Sequence, residues 1–455
     1  MRTISDELKI YELSRIWKDA EYNFAFWDKV NIDWDEEYKK ALPRVLATKD
    51  VYEYYRELAR FVSLLDDGHT GISFPMDVMQ SPEYFSMLPV YLVPIGGKYV
   101  VLSVAEEYKD AIPMFGVLTK YDGAEISEYV REHCYPYIWH ANEAACGKAV
   151  TIELLYGKEG SEALLTFEKD GKSFDVTLRR VDATGIKWSN SGMPVPKTVP
   201  GKLLLDENSV KIKITEDGIA VIAITTFMDD SVPDKIYGKF DELRRAKGYV
   251  IDVRGNGGGN STNADAVAAM FISGRFASCA AETQVYEPTY KAWGLFRDDF
   301  KTVSPESAAD MQWDEDSLKS YRMCRHIAFQ RESNTAENNA PGLLEGPVAV
   351  LMNGDTVSAA EDFVDVMKMH TKAVFVGSNT AGTSGQPYMV FLESGGNYRI
   401  CTRRCIAQNG EEIYNKGFSP DVRVDATLSD IMEGRDRGME TAIGIVKERN
   451  DVFEG

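Results

Sequence analysis

The sequence predicts an α/β protein, and three observations carry that reading. From residue 206 onward, short apolar runs without polar alternation take turns with helical patterns, as in a parallel sheet covered on both faces. Residues 76–205 instead hold short β-like runs broken by turn residues, and residues 1–75 show apolar spacing of the helical kind. At 455 residues the chain is long enough for two or three domains of ~150 residues. Its 44% hydrophobic and 11% aromatic content can fill sizeable cores, which excludes global disorder. The expected division is a helical region over 1–75, a β module with its linker over 76–205, and an α/β core over 206–455.

In the first region Ile10, Leu13, Trp17 and Ala20 recur at helical spacing, as do Tyr52, Tyr55, Leu58, Phe61, Leu64 and Leu65. Aromatics are dense here (Tyr22, Phe24, Phe26, Trp27, Trp34), which suits a helical cap on something larger. The region closes on Asp66-Asp67-Gly68-His69-Thr70-Gly71, a turn rich in helix breakers. In the second region, strands are expected at 99–104, at 117–121 before Asp122-Gly123, and at 150–155. Residues 187–201 carry three prolines and two glycines and form the candidate linker. In the third region, strands are expected at 219–225, 248–253, 347–352 and 373–377. Helices are expected at 232–245, 263–271 and 358–370, while 280–345, long, polar and aromatic, reads as an insertion. No internal repeat or low-complexity tract is visible.

With 51 Lys+Arg against 71 Asp+Glu, the net charge of −20 argues against nucleic acid or an anionic membrane as partner. No apolar run approaches the ~20 residues of a membrane span, so membrane insertion is not expected. The opening Met1-Arg-Thr-Ile-Ser-Asp-Glu lacks a signal pattern, so a cytoplasmic location is expected, or a periplasmic or exported one if a leader has been removed. Six cysteines (Cys134, Cys146, Cys279, Cys324, Cys401, Cys405) read as buried free thiols. With no HExxH, EF-hand loop or CxxC, neither a metal nor a cofactor is expected.

Two segments could carry chemistry. Asp252-Val-Arg-Gly-Asn-Gly-Gly-Gly-Asn-Ser261 lies between a strand and a helix, but it spells neither a P-loop nor a dinucleotide fingerprint. Its glycines can bring a backbone N–H against a small anion, including a developing oxyanion, or they can simply make a tight turn. In Leu351-Met-Asn-Gly-Asp-Thr-Val-Ser-Ala-Ala-Glu-Asp-Phe363, Ser358 stands where a strand and short loop enter a helix. It can be a nucleophile with the Ala359 N–H aimed at the oxyanion, or an ordinary N-cap in a capping box with Glu361. A serine nucleophile needs a base. Of the five histidines, His370 ends the helix that Ser358 begins, ~18 Å along its axis, and cannot reach. His133, His140 and His326 read as surface residues, whereas His69 sits in a glycine-flanked turn that presents a side chain.

Together these segments resemble the serine peptidases that include the tail-specific (C-terminal processing) proteases and the Tricorn core protease. The matching motifs are Gly248-Tyr-Val-Ile-Asp-Val-Arg-Gly-Asn-Gly-Gly-Gly259, Asn353-Gly-Asp-Thr-Val-Ser-Ala-Ala-Glu361, Val376-Gly-Ser-Asn-Thr-Ala-Gly382 and Lys416-Gly-Phe-Ser-Pro-Asp-Val422. Phe115-Gly-Val-Leu-Thr-Lys-Tyr-Asp-Gly-Ala-Glu125 and Val176-Thr-Leu-Arg-Arg180 resemble a divergent PDZ module. The resemblance implies a crotonase/ClpP-like protease core with Ser358 as nucleophile and the backbone of Ala359 and Gly258 as oxyanion donors. Tail-specific members place a lysine base where this chain has Thr383, and the Asp67-Gly68-His69-Thr70 turn looks more like the Tricorn-like branch, which implies His69 as base. That branch also has a glutamate near the last motif; Tyr414 falls on its position, and Glu412 is the candidate that orients His69. The implied function is a serine endopeptidase acting on unfolded polypeptides or peptides, some near their C-termini, with a homo-oligomer allowed. The alternative is a non-catalytic protein on the same fold that binds a hydrophobic ligand or peptide.

Overall fold

The computed structural model describes residues 2–140, 143–189 and 197–454. Half of the expected linker, at 190–196, lies outside the described residues. Contacts group the chain into two units whose segments interleave along the sequence: 1–78, 280–333 and 385–406 form one, and 79–279, 334–384 and 407–455 the other.

The second unit holds the α/β layer. Its seven strands run in the order Gly201–Asp206, Val210–Thr215, Ile219–Ile224, Gly248–Asp252, Val348–Met352, Val374–Gly377 and Val422–Arg423. The first two pairings are antiparallel and the other four are parallel. On one face, helices Ser261–Ala268 and Ala359–His370 bury Val267, Phe363 and Val366 against Ile222, Ile251 and Val350. On the other, helix Arg437–Glu454 sets Met439, Ala442 and Val446 on Val250, Leu351 and Val376. Every residue of Val348–Met352 is therefore buried, which is why that strand shows no polar alternation.

The same unit contains an antiparallel sheet with its own core, in which Val101, Leu118, Leu165, Phe167 and Leu178 are buried. Strands Lys98–Ala105 and Val117–Tyr121 fall where the sequence puts them. The strand expected at 150–155 is instead the end of helix Glu143–Leu155. Val150 and Leu154 are four apart and both buried, so this short apolar run follows helical spacing and not the alternation of a strand. Gly147 lets this helix approach closely, since a Cβ there would lie 2.7 Å from Pro94 Cβ.

The first unit opens with helices Asp6–Asn23, Trp34–Ala47 and Val51–Val62, each started by a capping side chain: Ser5, Asp33 and Asp50. Trp34 stacks on Phe61 with ring centroids 4.1 Å apart. Strand Asn397–Ile406 is the spine of the sheet, pairing with Gly71–Ser73, Ala280–Gln284 and Gly385–Phe391. The Glu12 carboxylate, fully buried, accepts from Tyr54 Oη (2.8 Å), Ser394 N (2.8 Å) and Ser394 Oγ (2.6 Å), tying the helices to that hairpin. Among the described residues no helix is long and apolar enough to cross a membrane.

Candidate active site

Parallel strands open their carboxyl ends into loops, and crevices form there. Strands Gly248–Asp252 and Val348–Met352 are such neighbours, with Asp252 opposite Leu351. Their loops are joined side to side. Asn353 Oδ1 accepts the N–H of Gly255 and of Asp355, both at 3.1 Å, and Thr356 Oγ1 donates to Val253 O at 2.9 Å. The Val357 N–H donates to Asn256 O at 3.0 Å. Asn256 is fully buried; its Nδ2 donates to Ile224 O at 3.1 Å and its Oδ1 accepts the Gly258 N–H at 2.9 Å.

This network delivers Ser358 in an unusual conformation, φ 58° and ψ −126°, which residues other than glycine rarely adopt and which costs ~1–3 kcal/mol. Its side chain makes no N-cap hydrogen bond, so the capping-box reading does not describe it. Gly258, at φ 90°, lies directly against it: a Cβ on Gly258 would sit 2.6 Å from Ser358 Cβ and 2.7 Å from Val357 O. Only glycine fits both the backbone and the space. The Ala359 N–H opens helix Ala359–His370 and so has no acceptor within the helix ladder. Ser358, Ala359 and Gly258 are thus brought together. The Gly258 N–H, however, already donates to Asn256 Oδ1, a partner the sequence did not reveal.

Glu361 sits at the helix position of a capping-box acid but turns elsewhere. Fully buried, it accepts from Thr380 Oγ1 (2.6 Å), Gly382 N (2.8 Å) and Thr383 N (2.8 Å). Burial pushes its carboxyl up to about 7, against the pull of those donors. Thr383 O in turn accepts the Ser358 N–H at 3.0 Å, so the 380–383 loop that Glu361 fixes also fixes the serine's backbone. Thr380 extends this to the last motif, donating its N–H to Phe418 O and receiving the Phe418 N–H on Oγ1.

His69, in the other unit, is half-buried in the expected turn. Its backbone N–H donates to Asp67 Oδ2 at 3.0 Å, and Thr70 Oγ1 donates to the same oxygen at 2.8 Å. Glu412 lies exposed in the irregular stretch before Ile413. His326 is no surface residue: its ring is 14% exposed, with Lys291 Nζ 3.1 Å and Glu21 Oε1 3.5 Å from Nε2. Burial, then Lys291, pulls it down to about 4, so it stays neutral. His370 Nε2 lies 3.0 Å from Ala277 O at the far end of the helix, while His133 and His140 are exposed.

A parallel α/β layer thus carries a strained serine turn packed against a glycine loop. Residues 218–424 match the model of peptidase family S41. Among curated proteins, the carboxy-terminal processing protease CtpA of Bacillus subtilis is 20% identical over 277 residues, 60% of this chain and 45% of that one. A probable CtpA-like serine protease of Staphylococcus haemolyticus is 24% identical over 277 residues, 60% of this chain and 42% of its own length. The chain thus spans less than half the length of these relatives. Among solved structures, mature CPAF matches with a TM-score of 0.69 at 15% identity, covering 97% of both chains. The CPAF complex with lactacystin matches at 0.67 and 17%, covering 97% of this chain and 98% of that one. At such identities these matches speak for the fold.

Proposed function

We propose that this chain is a serine endopeptidase that hydrolyses peptide bonds in unfolded polypeptides or peptides. The observation that carries the reading is the Ser358 turn, which holds a residue other than glycine at φ 58° with its hydroxyl withheld from helix capping. Strain of that kind persists only where surrounding contacts enforce it, as they do here through Gly258, Asn256 and Thr383.

In this reading Ser358 Oγ attacks the scissile carbonyl and a base accepts its proton. The Ala359 N–H, at a helix N-terminus, stabilises the oxyanion. Gly258 supports it by close approach, and its own N–H serves a second time only if Asn256 Oδ1 yields it. The tetrahedral species collapses to an acyl-enzyme, the amine leaves with the proton, and water releases the acid. We assign His69 as the base. Thr383 removes the lysine alternative, His326 and His370 are engaged elsewhere, and His133 and His140 lie in the module of 79–189. Glu412 is the group proposed to orient it. The antiparallel sheet around 98–179, read as PDZ-like, would recruit extended substrate by strand addition.

The test is digestion of a mixed peptide library read by mass spectrometry, with wild type beside Ser358→Ala and His69→Ala. Cleavage by wild type and silence of both variants is the expected result. Cleavage by Ser358→Ala would overturn the nucleophile, and cleavage by His69→Ala alone would overturn the base. A wild type that cuts nothing but binds a hydrophobic ligand with saturating change in tryptophan fluorescence would return the chain to the binding-protein reading.

A further inference from the structure

Asp67 has a second oxygen that the site above does not use. The residue is 2% exposed, and while Oδ2 accepts two hydrogen bonds, Oδ1 is buried with no hydrogen-bond partner. A buried acceptor left in this state costs ~1–3 kcal/mol, more if charged. Beside it stand His69 and the thiol of Cys401, fully buried in strand Asn397–Ile406. One oxygen of Asp67, one ring nitrogen of His69 and Cys401 Sγ all lie within 4.8 Å of one another.

The sheet builds this cluster. Gly71 pairs with Arg399, the Cys401 N–H donates to Thr70 Oγ1 at 3.0 Å, and the Ala25 N–H donates to Cys401 O at 2.9 Å. Cys401, remote in sequence from Asp67 and His69, is therefore held beside them by hydrogen bonds of the sheet and turn, independent of any ligand. Tetrahedral zinc with ligand bonds of ~2.0–2.3 Å needs its donors ~3.3–3.8 Å apart, a closure of about an ångström that side-chain rotation supplies. One nitrogen, one sulfur and one oxygen suit zinc or cobalt and not calcium or magnesium.

We propose that Asp67, His69 and Cys401 form a binding site for a zinc-class divalent cation, and that the bound cation silences hydrolysis by occupying His69. The silencing rests on His69 being the base; the binding does not. On binding, the Cys401 Sγ–H bond breaks, sulfur bonds to the metal and the proton goes to solvent; nothing is oxidised or reduced. The thiol's present hydrogen bond, to Arg403 O at 3.1 Å, is given up. Carboxylate, thiolate and dication sum to zero charge, which resolves the buried carboxylate. Of the charged groups that act on Asp67, Arg399 opposes a cation and Asp66 favours one. Three protein donors leave the fourth position to water.

The experiment titrates the full chain with cobalt, following the thiolate-to-cobalt charge-transfer band in the near ultraviolet, and with zinc in a calorimeter. One equivalent and a thiolate band are expected. Cys401→Ser should abolish the band, Asp67→Asn should weaken binding about tenfold or more, and Cys405→Ser and Cys279→Ser should keep the band. Circular dichroism confirms that each variant is folded, and Asp67→Asn, nearly isosteric, stands in if Cys401→Ser is not. Absence of the band, or a band that survives Cys401→Ser and disappears with another cysteine, overturns the site. In wild type, zinc should stop peptide cleavage and a chelator restore it. A band without inhibition overturns the silencing and leaves the binding standing.

Discussion

Two helices leave the same parallel sheet side by side and begin in opposite ways. Helix Ser261–Ala268 starts from Asn260, at φ −90° and ψ 116°, whose side chain accepts the Thr262 N–H as an N-cap does. Helix Ala359–His370 starts from Ser358, at φ 58° and ψ −126°, with no cap from its side chain. Both follow a strand and a short loop, and both offer a residue type suited to capping. Capping satisfies an orphan N–H and consumes the side chain. At Ser358 the backbone is turned so that the hydroxyl does not cap the helix, and the neighbouring chain is arranged to hold that turn.

The largest effect expected from this contrast is on activity. Ser358→Ala should lower kcat by ~10³-fold or more with little change in stability, whereas Ser358→Gly should raise the melting temperature by relieving backbone strain. If Ser358→Ala instead melts lower by as much as a lost cap, the serine is structural after all. Next comes Gly258→Ala, which adds a Cβ 2.6 Å from Ser358 Cβ at a φ of 90°. It should cost ~2–4 kcal/mol in denaturant unfolding and at least ~10²-fold in kcat.

A third effect concerns Glu361. Removing it with Glu361→Ala strands three donors and should cost ~3 kcal/mol. Its pH signature has a definite sign. The folded carboxyl is pushed up to about 7 from an ordinary 4.5, so folding takes up a proton between those values. The stability this group contributes is complete below pH 4.5 and lost as pH rises through about 7, by ~3 kcal/mol at most. Asp67, Asp265 and Asp365, pushed up to about 6 by burial, act in the same direction. The melting temperature of wild type should therefore fall between pH 5 and 8, and Glu361→Gln should flatten the part near 7. A wild type that gains stability over that range would contradict the burial of these acids. The smallest effect is at the ordinary cap: Asn260→Ala should cost ~1 kcal/mol and change cleavage little.

Much of this was legible in the chain. The four motifs at 248–259, 353–361, 376–382 and 416–422 meet in one unit through Asn353, Asn256, Glu361 and Thr380. The apolar strands and their helices could be read because burial on both faces leaves a plain pattern. What was hidden depends on partners distant in sequence. Asn256 donates to Ile224 O of another strand, and Glu361 abandons the cap for residues about twenty positions on; spacing along the chain carries no trace of either. The helix Glu143–Leu155 was missed because a short apolar run is ambiguous between periods. The strand Asn397–Ile406, which joins 1–78 to 280–333, was missed because its partners are set by tertiary contact alone.

The most direct measurement is covalent. Wild type, Ser358→Ala and Asn260→Ala are treated with a fluorophosphonate, and intact mass and peptide mapping locate the adduct. A single adduct on Ser358 in wild type and in Asn260→Ala, with none in Ser358→Ala, is the predicted result. No adduct in wild type, or one that persists in Ser358→Ala, would contradict the claim that the Ser358 turn exists to present a nucleophile.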